Sequence, residues 1–222
     1  AGAVRCDGKA ELVQAEVRRG LFTAAPGAET IATGHGAFPV RAVGGASPDQ
    51  LSLCLQQRMA ELEAVVAAEA GQADLVCVDG PLRGGGHRSG TVGYVKTHHV
   101  RYLDPAADAV VATLEAGWRT PIFLATARMW TRYSWYLRLP FAGAGHPWAG
   151  VVRCETSADC EPAAAVALAD RVTAALPRFA SERHKDARAP QNLYPIGGLE
   201  RLLRHRLGDP NIIYRSLRIA AA

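Results

Sequence analysis

The segment that most constrains the fold is a short apolar run, Ala73-Asp74-Leu75-Val76-Cys77-Val78-Asp79, closed by Gly80-Pro81 and preceded by a well-signalled helix start. Ser47 stands where an N-cap is wanted, and Pro48 takes the first helical position. Asp49 lies near the positive end of the helix dipole, and Gln50 is where a capping box places Glu or Gln. The spacing predicts a helix running to about Ala70 and stopping near Gly71, with Leu51, Leu55, Met59, Leu62 and Val66 as the stripe that faces a sheet. The run ending at Asp79 then reads as a strand buried on both faces, the central one of its sheet. A helix leading directly into such a strand puts the chain in the α/β class.

Two early strands are expected within residues 10–23 and 36–43, forming an antiparallel opening sheet. After a loop carrying Gly84, Gly85, Gly86 and Gly90, further strands are expected at 121–126, 133–139 and 149–155, and helices at 162–176 and 199–207. Residues 178–190 are polar and read as an exposed lip. There are no internal repeats. A mixed β-sheet flanked by helices, in one domain over residues 1–222, accounts for this order most simply.

Hydrophobic residues make up 49% of the chain, enough for a packed core. No run of about 18 apolar residues is present to span a bilayer, and the first residues show no basic start followed by an apolar stretch and a cleavage site. A cytoplasmic protein without a membrane partner is the expectation. The chain opens without Met straight into an apparent strand, so a preceding segment, including an N-terminal strand, is expected upstream of Ala1. Five cysteines, at 6, 54, 77, 154 and 160, form no CxxC pair, which argues against a zinc site or a disulfide framework. The net charge is +4, yet residues 178–218 alone carry nine Lys/Arg against four Asp/Glu, leaving the rest near neutral. Such clustering suits a polyanion such as nucleic acid; a solvated helical face has the same composition.

Asp79 is the first candidate for chemistry. A carboxylate where a buried strand ends, followed by a Gly that allows a sharp departure, stands where open α/β sheets bind ligands and can hold a divalent ion. Plain Asp-Gly turn chemistry is the competing reading. Metal-assisted phosphodiester cleavage needs further carboxylates, and the preceding helix offers Glu61 and Glu63. Glu63 lies roughly 80° from the centre of the apolar stripe and Glu61 roughly 120°, so Glu63 is nearer the sheet. Lys96 can contact a phosphate as a point charge, and His98 or His99 can position water or phosphate. In the alternating strand at 133–139, Tyr133, Trp135, Leu137 and Leu139 share a core face. Tyr136 and Arg138 share the other, where they are candidates to line a substrate groove. Arg178, Arg183, His184, Lys185 and Arg188, with Gln191 and Asn192 following, have the composition of a phosphate-contacting lip. The glycine loop has neither a GxxxxGK[ST] nor a GxGxxG pattern, and no GxSxG is present.

Taken in order, Leu62-Glu63, then Leu75-Val76-Cys77-Val78-Asp79-Gly80-Pro81-Leu82, then Gly93-Tyr94-Val95-Lys96, then the aromatic strand and Tyr194-Pro195-Ile196, resemble the NurA nuclease family. The resemblance implies an RNase H-like fold that cleaves DNA with Mn²⁺ or Mg²⁺ in end processing and repair. It also implies a homodimer and, often, a HerA-type hexameric ATPase as partner. Through it, Asp79 matches the family's internal metal-binding aspartate, Glu63 its helical glutamate with Glu61 as the register alternative, and Lys96 the lysine of the Tyr-Val-Lys segment. The family's first metal ligand is an Asp-Gly aspartate on an N-terminal strand. Asp7-Gly8 is the one early candidate, unless that aspartate precedes Ala1. The family's C-terminal histidine has His205 as its nearest candidate, or Glu200 in its place. Two rival expectations stand beside the nuclease: a NurA-like DNA-binding or adaptor protein without catalysis, and a small-molecule α/β enzyme using the glycine loop with His98 and His99.

Overall fold

A computed structural model describes residues 1–27, 29–69, 73–83, 87–127, 130–141, 143 and 146–221. The chain forms two compact units, Ala1–Gly71 with Gly198–Ala222, and Gln72–Gly197. Together they make a mixed α/β protein in which sheets are flanked by helices. Among the described residues no helix is long and apolar enough to cross a membrane.

In the first unit, β1 (Gly2–Asp7) and β2 (Lys9–Ala15) form an antiparallel hairpin with an irregularity between Ala3 and Val4. Its tip is Asp7-Gly8-Lys9, and Gly8 has a φ of +71°, a left-handed conformation that glycine adopts without a Cβ penalty. A second sheet places β5 (Gly36–Ala42) between β3 (Leu21–Thr23), to which it is parallel, and β4 (Thr30–Thr33), to which it is antiparallel. The opening region therefore holds five short strands where two were expected, and the two expected segments meet in parallel, through β3 and β5, rather than antiparallel. Helix α1 (Pro48–Glu69) packs against β1, β2 and β3. Its start forms the reciprocal capping box: the Ser47 amide donates to Gln50 Oε1 at 2.8 Å and the Gln50 amide to Ser47 Oγ at 3.3 Å. The expected stop near Gly71 lies outside the described residues. Only the later part of the expected stripe is buried, at Leu62 and Val66, while Leu55 and Met59 are exposed.

In the second unit a five-stranded sheet runs in the order β6-β7-β10-β9-β8, comprising β6 (Val76–Asp79), β7 (Thr91–Val95), β8 (Phe123–Ala127), β9 (Trp130–Arg138) and β10 (Val151–Ser157). β6 and β7 are parallel and the remaining pairs antiparallel. This corrects two expectations: β6 is an edge strand, not the central one, and it is half-exposed rather than buried on both faces, with Cys77 and Asp79 open to solvent. The middle position belongs to β10, buried at six of its seven residues. One face of the sheet builds the main core, where Val92, Tyr94, Trp135, Leu137, Val152 and Cys154 meet Leu168, Ala169, Val172 and Leu176 of helix α3 (Pro162–Ala175) and the turn after it. On the other face Tyr136, Val151 and Phe123 pack with Val111 of helix α2 (Pro105–Ala112) and with Trp148.

Two helices were not expected, α2 and α5 (Pro210–Ala220), and both begin Asp-Pro. Asp104 accepts from the Ala107 amide at 2.9 Å, and Asp209 from the Asn211 amide at 2.8 Å, each satisfying a helix-end donor. Asp104→Ala is expected to lower unfolding free energy by about 1 kcal/mol, read as a shift of the urea midpoint. An unchanged midpoint would mean that water replaces the cap at no cost. Helix α4 (Tyr194–Leu207) covers the expected 199–207 and begins five residues earlier.

Candidate functional site

The parallel edge of the second sheet brings two of the expected residues together. β6 ends at Asp79, and the chain turns away through Gly80, whose φ of +112° is strained for any residue with a Cβ. The register pairs Asp79 with Tyr94 on β7, which puts both on the face that also carries Lys96, two residues beyond Tyr94. Lys96 Nζ lies 2.8 Å from Asp79 Oδ1 and 2.9 Å from Oδ2. Both side chains are partly open to solvent, 23% for the lysine and 38% for the aspartate, so a ligand can reach them.

Behind the pair is a polar backing of which the sequence named only Asn192, as part of the lip. Lys96 also donates to Asn192 Oδ1 at 3.4 Å, and the fully buried Asn192 donates through Nδ2 to Asp186 Oδ2 at 2.6 Å. The Asn192 amide first, then the Arg188 backbone amide, hold the Asp186 carboxyl below the usual carboxylate range. Tyr94 donates its hydroxyl to the Gln191 carbonyl at 2.8 Å, and burial pushes the phenol well up, so it stays a donor at any working pH. The segment after the lip is thus fastened to the sheet edge from below.

The lip is internally matched in charge. Lys185 pairs with Glu182 at 3.3 Å and lies over the Tyr194 ring, and Arg188 approaches Asp186 at 3.7 Å. Arg183 lies so close over Gly143 that a β-carbon there would overlap its guanidinium. Arg183, Lys185 and Arg188 are all exposed, as a phosphate-contacting role requires, but two of the three already have acidic neighbours.

Tyr136 and Arg138 do not line a groove. Tyr136 is buried, 5.1 Å from the Trp148 ring and 5.7 Å from Phe123 by centroids, because α2 covers this face of the sheet. Arg138 spends its guanidinium on the carbonyls of Ala149, Ala112 and Pro147, where it fastens loop backbone to the sheet. His98 belongs to the same covered face. It donates from Nε2 to the Val151 carbonyl at 2.9 Å, packs on Tyr136 and Trp148, and is pulled below its ordinary pKa chiefly by burial. His99 is exposed.

The remaining candidates belong to the first unit. Asp7 is exposed at the hairpin tip; Glu63 is an exposed residue of α1; Glu61, also on α1, pairs with Arg58 at 2.6 Å; His205 is exposed near the end of α4. Within the second unit, therefore, the edge offers a single aspartate whose two oxygens both face an ammonium, with one amide oxygen nearby. A divalent cation asks for six or more oxygen ligands with matching negative charge. These residues alone do not fit a resident Mn²⁺ or Mg²⁺, and among the described residues no three of His, Cys, Asp and Glu gather as a metal would require. What the edge can do by itself is present a cation of fixed position to an anion.

The charged cluster on the opposite face of β10 was also missed. Glu155 is fully buried, pairs with Arg153 and Arg132, and accepts from the Leu82 amide at 2.8 Å. Arg153 lies over the Tyr102 ring and Arg132 over Trp130, each at 4.8 Å. Its sequence signal is an Arg and a Glu two residues apart in an otherwise apolar strand, which places opposite charges on one face. No protein-family model matches this chain, and no curated protein does.

Proposed function

We propose that the chain is a NurA-like, RNase H-like DNA nuclease that hydrolyses phosphodiester bonds at the edge formed by β6 and β7. The observation that carries this reading is the Asp79–Lys96 pair, held across two parallel strands at the sheet's carboxyl edge and backed by buried Asn192. Ligands of open α/β sheets collect at such edges. Lys96 is the group that meets a phosphate, and Asp79 fixes where its ammonium stands until the anion arrives. Arg183, Lys185 and Arg188 supply exposed positive charge along the lip for the strand beyond the scissile bond.

Mn²⁺ or Mg²⁺ enters the proposal only as the variable of its test. Homodimer formation and a HerA-type ATPase partner belong to it as well. They are supported by the apolar side chains that the first unit exposes, among them Leu53, Leu55, Met59, Ile212 and Ile219.

The test is end-labelled DNA incubated with Mn²⁺, with Mg²⁺, and with a chelator. Metal-dependent shortening of the label is the expected result. Salt-sensitive DNA binding with no cleavage under any of the three conditions would support the second reading, a DNA-binding or adaptor protein without catalysis. That reading draws on the same pair, since Lys96 already occupies both oxygens of Asp79.

A further inference from the structure

We infer that Glu155 is a positioning residue for the Asp79–Lys96 edge, acting through the backbone of Leu82. The inference rests on reading that edge as the functional site. Burying a carboxylate costs several kcal/mol unless it is paired and hydrogen-bonded. Two arginines meet most of that requirement here: Arg153, itself bonded to Ser134 Oγ at 3.2 Å, and Arg132. The third partner is of a different kind. It is a main-chain amide 73 residues away in sequence, belonging to the third residue after Asp79.

That bond lies on the short path by which the chain leaves β6. Gly80 donates its amide to the Tyr94 carbonyl at 2.8 Å, and Leu82 donates to Glu155. The departure from Asp79 is therefore pinned at two points, one on β7 and one on β10. β6 is four residues long and has one neighbouring strand, so its own ladder contributes little to fixing its last residue.

Gly93 shows how closely the three parts meet. A Cβ there would lie 2.9 Å from Glu155 Cγ, 3.0 Å from the Gly80 carbonyl oxygen and 3.0 Å from the Leu82 nitrogen. Glu155, β7 and the departing chain share one junction with no room for a methyl group. Shortening Glu155 or crowding the junction must move the Gly80–Leu82 turn, and Asp79 immediately precedes it. The carboxylate acts from the opposite face of the sheet without touching a substrate.

Glu155→Asp and Gly93→Ala separate this role from charge balance. The first keeps a carboxylate beside both arginines and loses the reach to Leu82; the second leaves every charge in place. Melting curves first establish that each variant is folded at the assay temperature. The chain has three lysines, Lys9, Lys96 and Lys185, so amine acylation followed by mass spectrometry reads Lys96 against two internal references. Loosening its partly exposed pair with Asp79 is expected to speed acylation of Lys96 by about threefold to fivefold, with Lys9 and Lys185 unchanged. In DNA cleavage the same variants are expected to lose about tenfold to a hundredfold in kcat with KM nearly constant. A wild type that cleaves no DNA removes the nuclease reading and leaves the lysine measurement to decide this one. Unchanged Lys96 reactivity in a folded Glu155→Asp or Gly93→Ala protein overturns the assignment, since a purely structural ion cluster predicts that result.

Discussion

On the proposed nuclease reading, Asp79→Asn is expected to lower the rate of DNA cleavage by about 10²–10³-fold, the size of loss that removing one preorganised stabilising group from a reacting centre brings. The substitution is isosteric, so the turn at Gly80 and the β6 register are retained. What is lost is the negative charge that holds Lys96, whose Nζ lies within 2.9 Å of both carboxylate oxygens. The effect on stability is small by comparison. Both partners are partly exposed, and a solvent-screened ion pair contributes at most about 1 kcal/mol. Initial rates at saturating DNA, set beside urea unfolding of the same preparation, separate the two quantities. Wild-type turnover in Asp79→Asn would remove this aspartate from the reaction, and a parallel collapse of stability would make it a structural residue.

Trp135→Ala is expected to destabilise the second unit by about 3–5 kcal/mol, a large share of what a domain of this kind possesses. Trp135 is fully buried on β9, in the cluster where the sheet meets Leu168 and Val172 of α3. Alanine leaves a cavity that a sheet anchored on both sides of β9 cannot close. Trp135→Phe is the informative partner. The indole nitrogen is buried with no acceptor, a desolvation cost that phenylalanine does not carry. The phenylalanine variant is therefore expected to lose less than about 1.5 kcal/mol. Urea midpoints read at constant m-value test the pair. Equal losses in the two variants would show that a retained ring does not fill the site, against the cavity account.

Much of the architecture was legible because local chemistry and tertiary structure agree. The Ser47-Pro48-Asp49-Gln50 start closes both hydrogen bonds of its capping box, and the strand expected at 133–139 lies within β9 apart from Leu139. The strands expected at 121–126 and 149–155 correspond to β8 and β10. Asp104-Pro105 and Asp209-Pro210 carry the same kind of start signal as Ser47-Pro48. Each opens a helix of only 8 or 11 residues, too short for a periodic stripe to stand out. The edge position of β6 was hidden for another reason. An apolar run told neither how far β6 is covered, since half of it is exposed, nor which strands flank it, while β10, the true middle strand, carries Arg153 and Glu155 and looks less buried than it is.

At the candidate site, residue types and order singled out Asp79 and Lys96 one by one, as metal ligand and phosphate contact, but not the ion pair that joins them. Tyr136 and Arg138 went astray because alternation identifies a second face without saying what covers it, and α2 covers this one. Asn192 was legible only as part of the lip, and Asp186 and Glu155 were beyond reach. Their roles depend on contacts between residues widely separated in the chain, which no local pattern encodes.

The strand order β6-β7-β10-β9-β8 also governs how the sheet is assembled and where it yields. The meander of β8, β9 and β10 closes through near neighbours in sequence, so its contacts are entropically the least costly to form. β7 must find β10 across more than fifty residues, and β6 can dock only once β7 is in place. The strand that carries Asp79 reaches the sheet only through β7 and, like β8, has a single neighbour, so its amides are among the earliest to exchange with solvent. Local opening at that edge would part Asp79 from Lys96 while the rest of the sheet stays native.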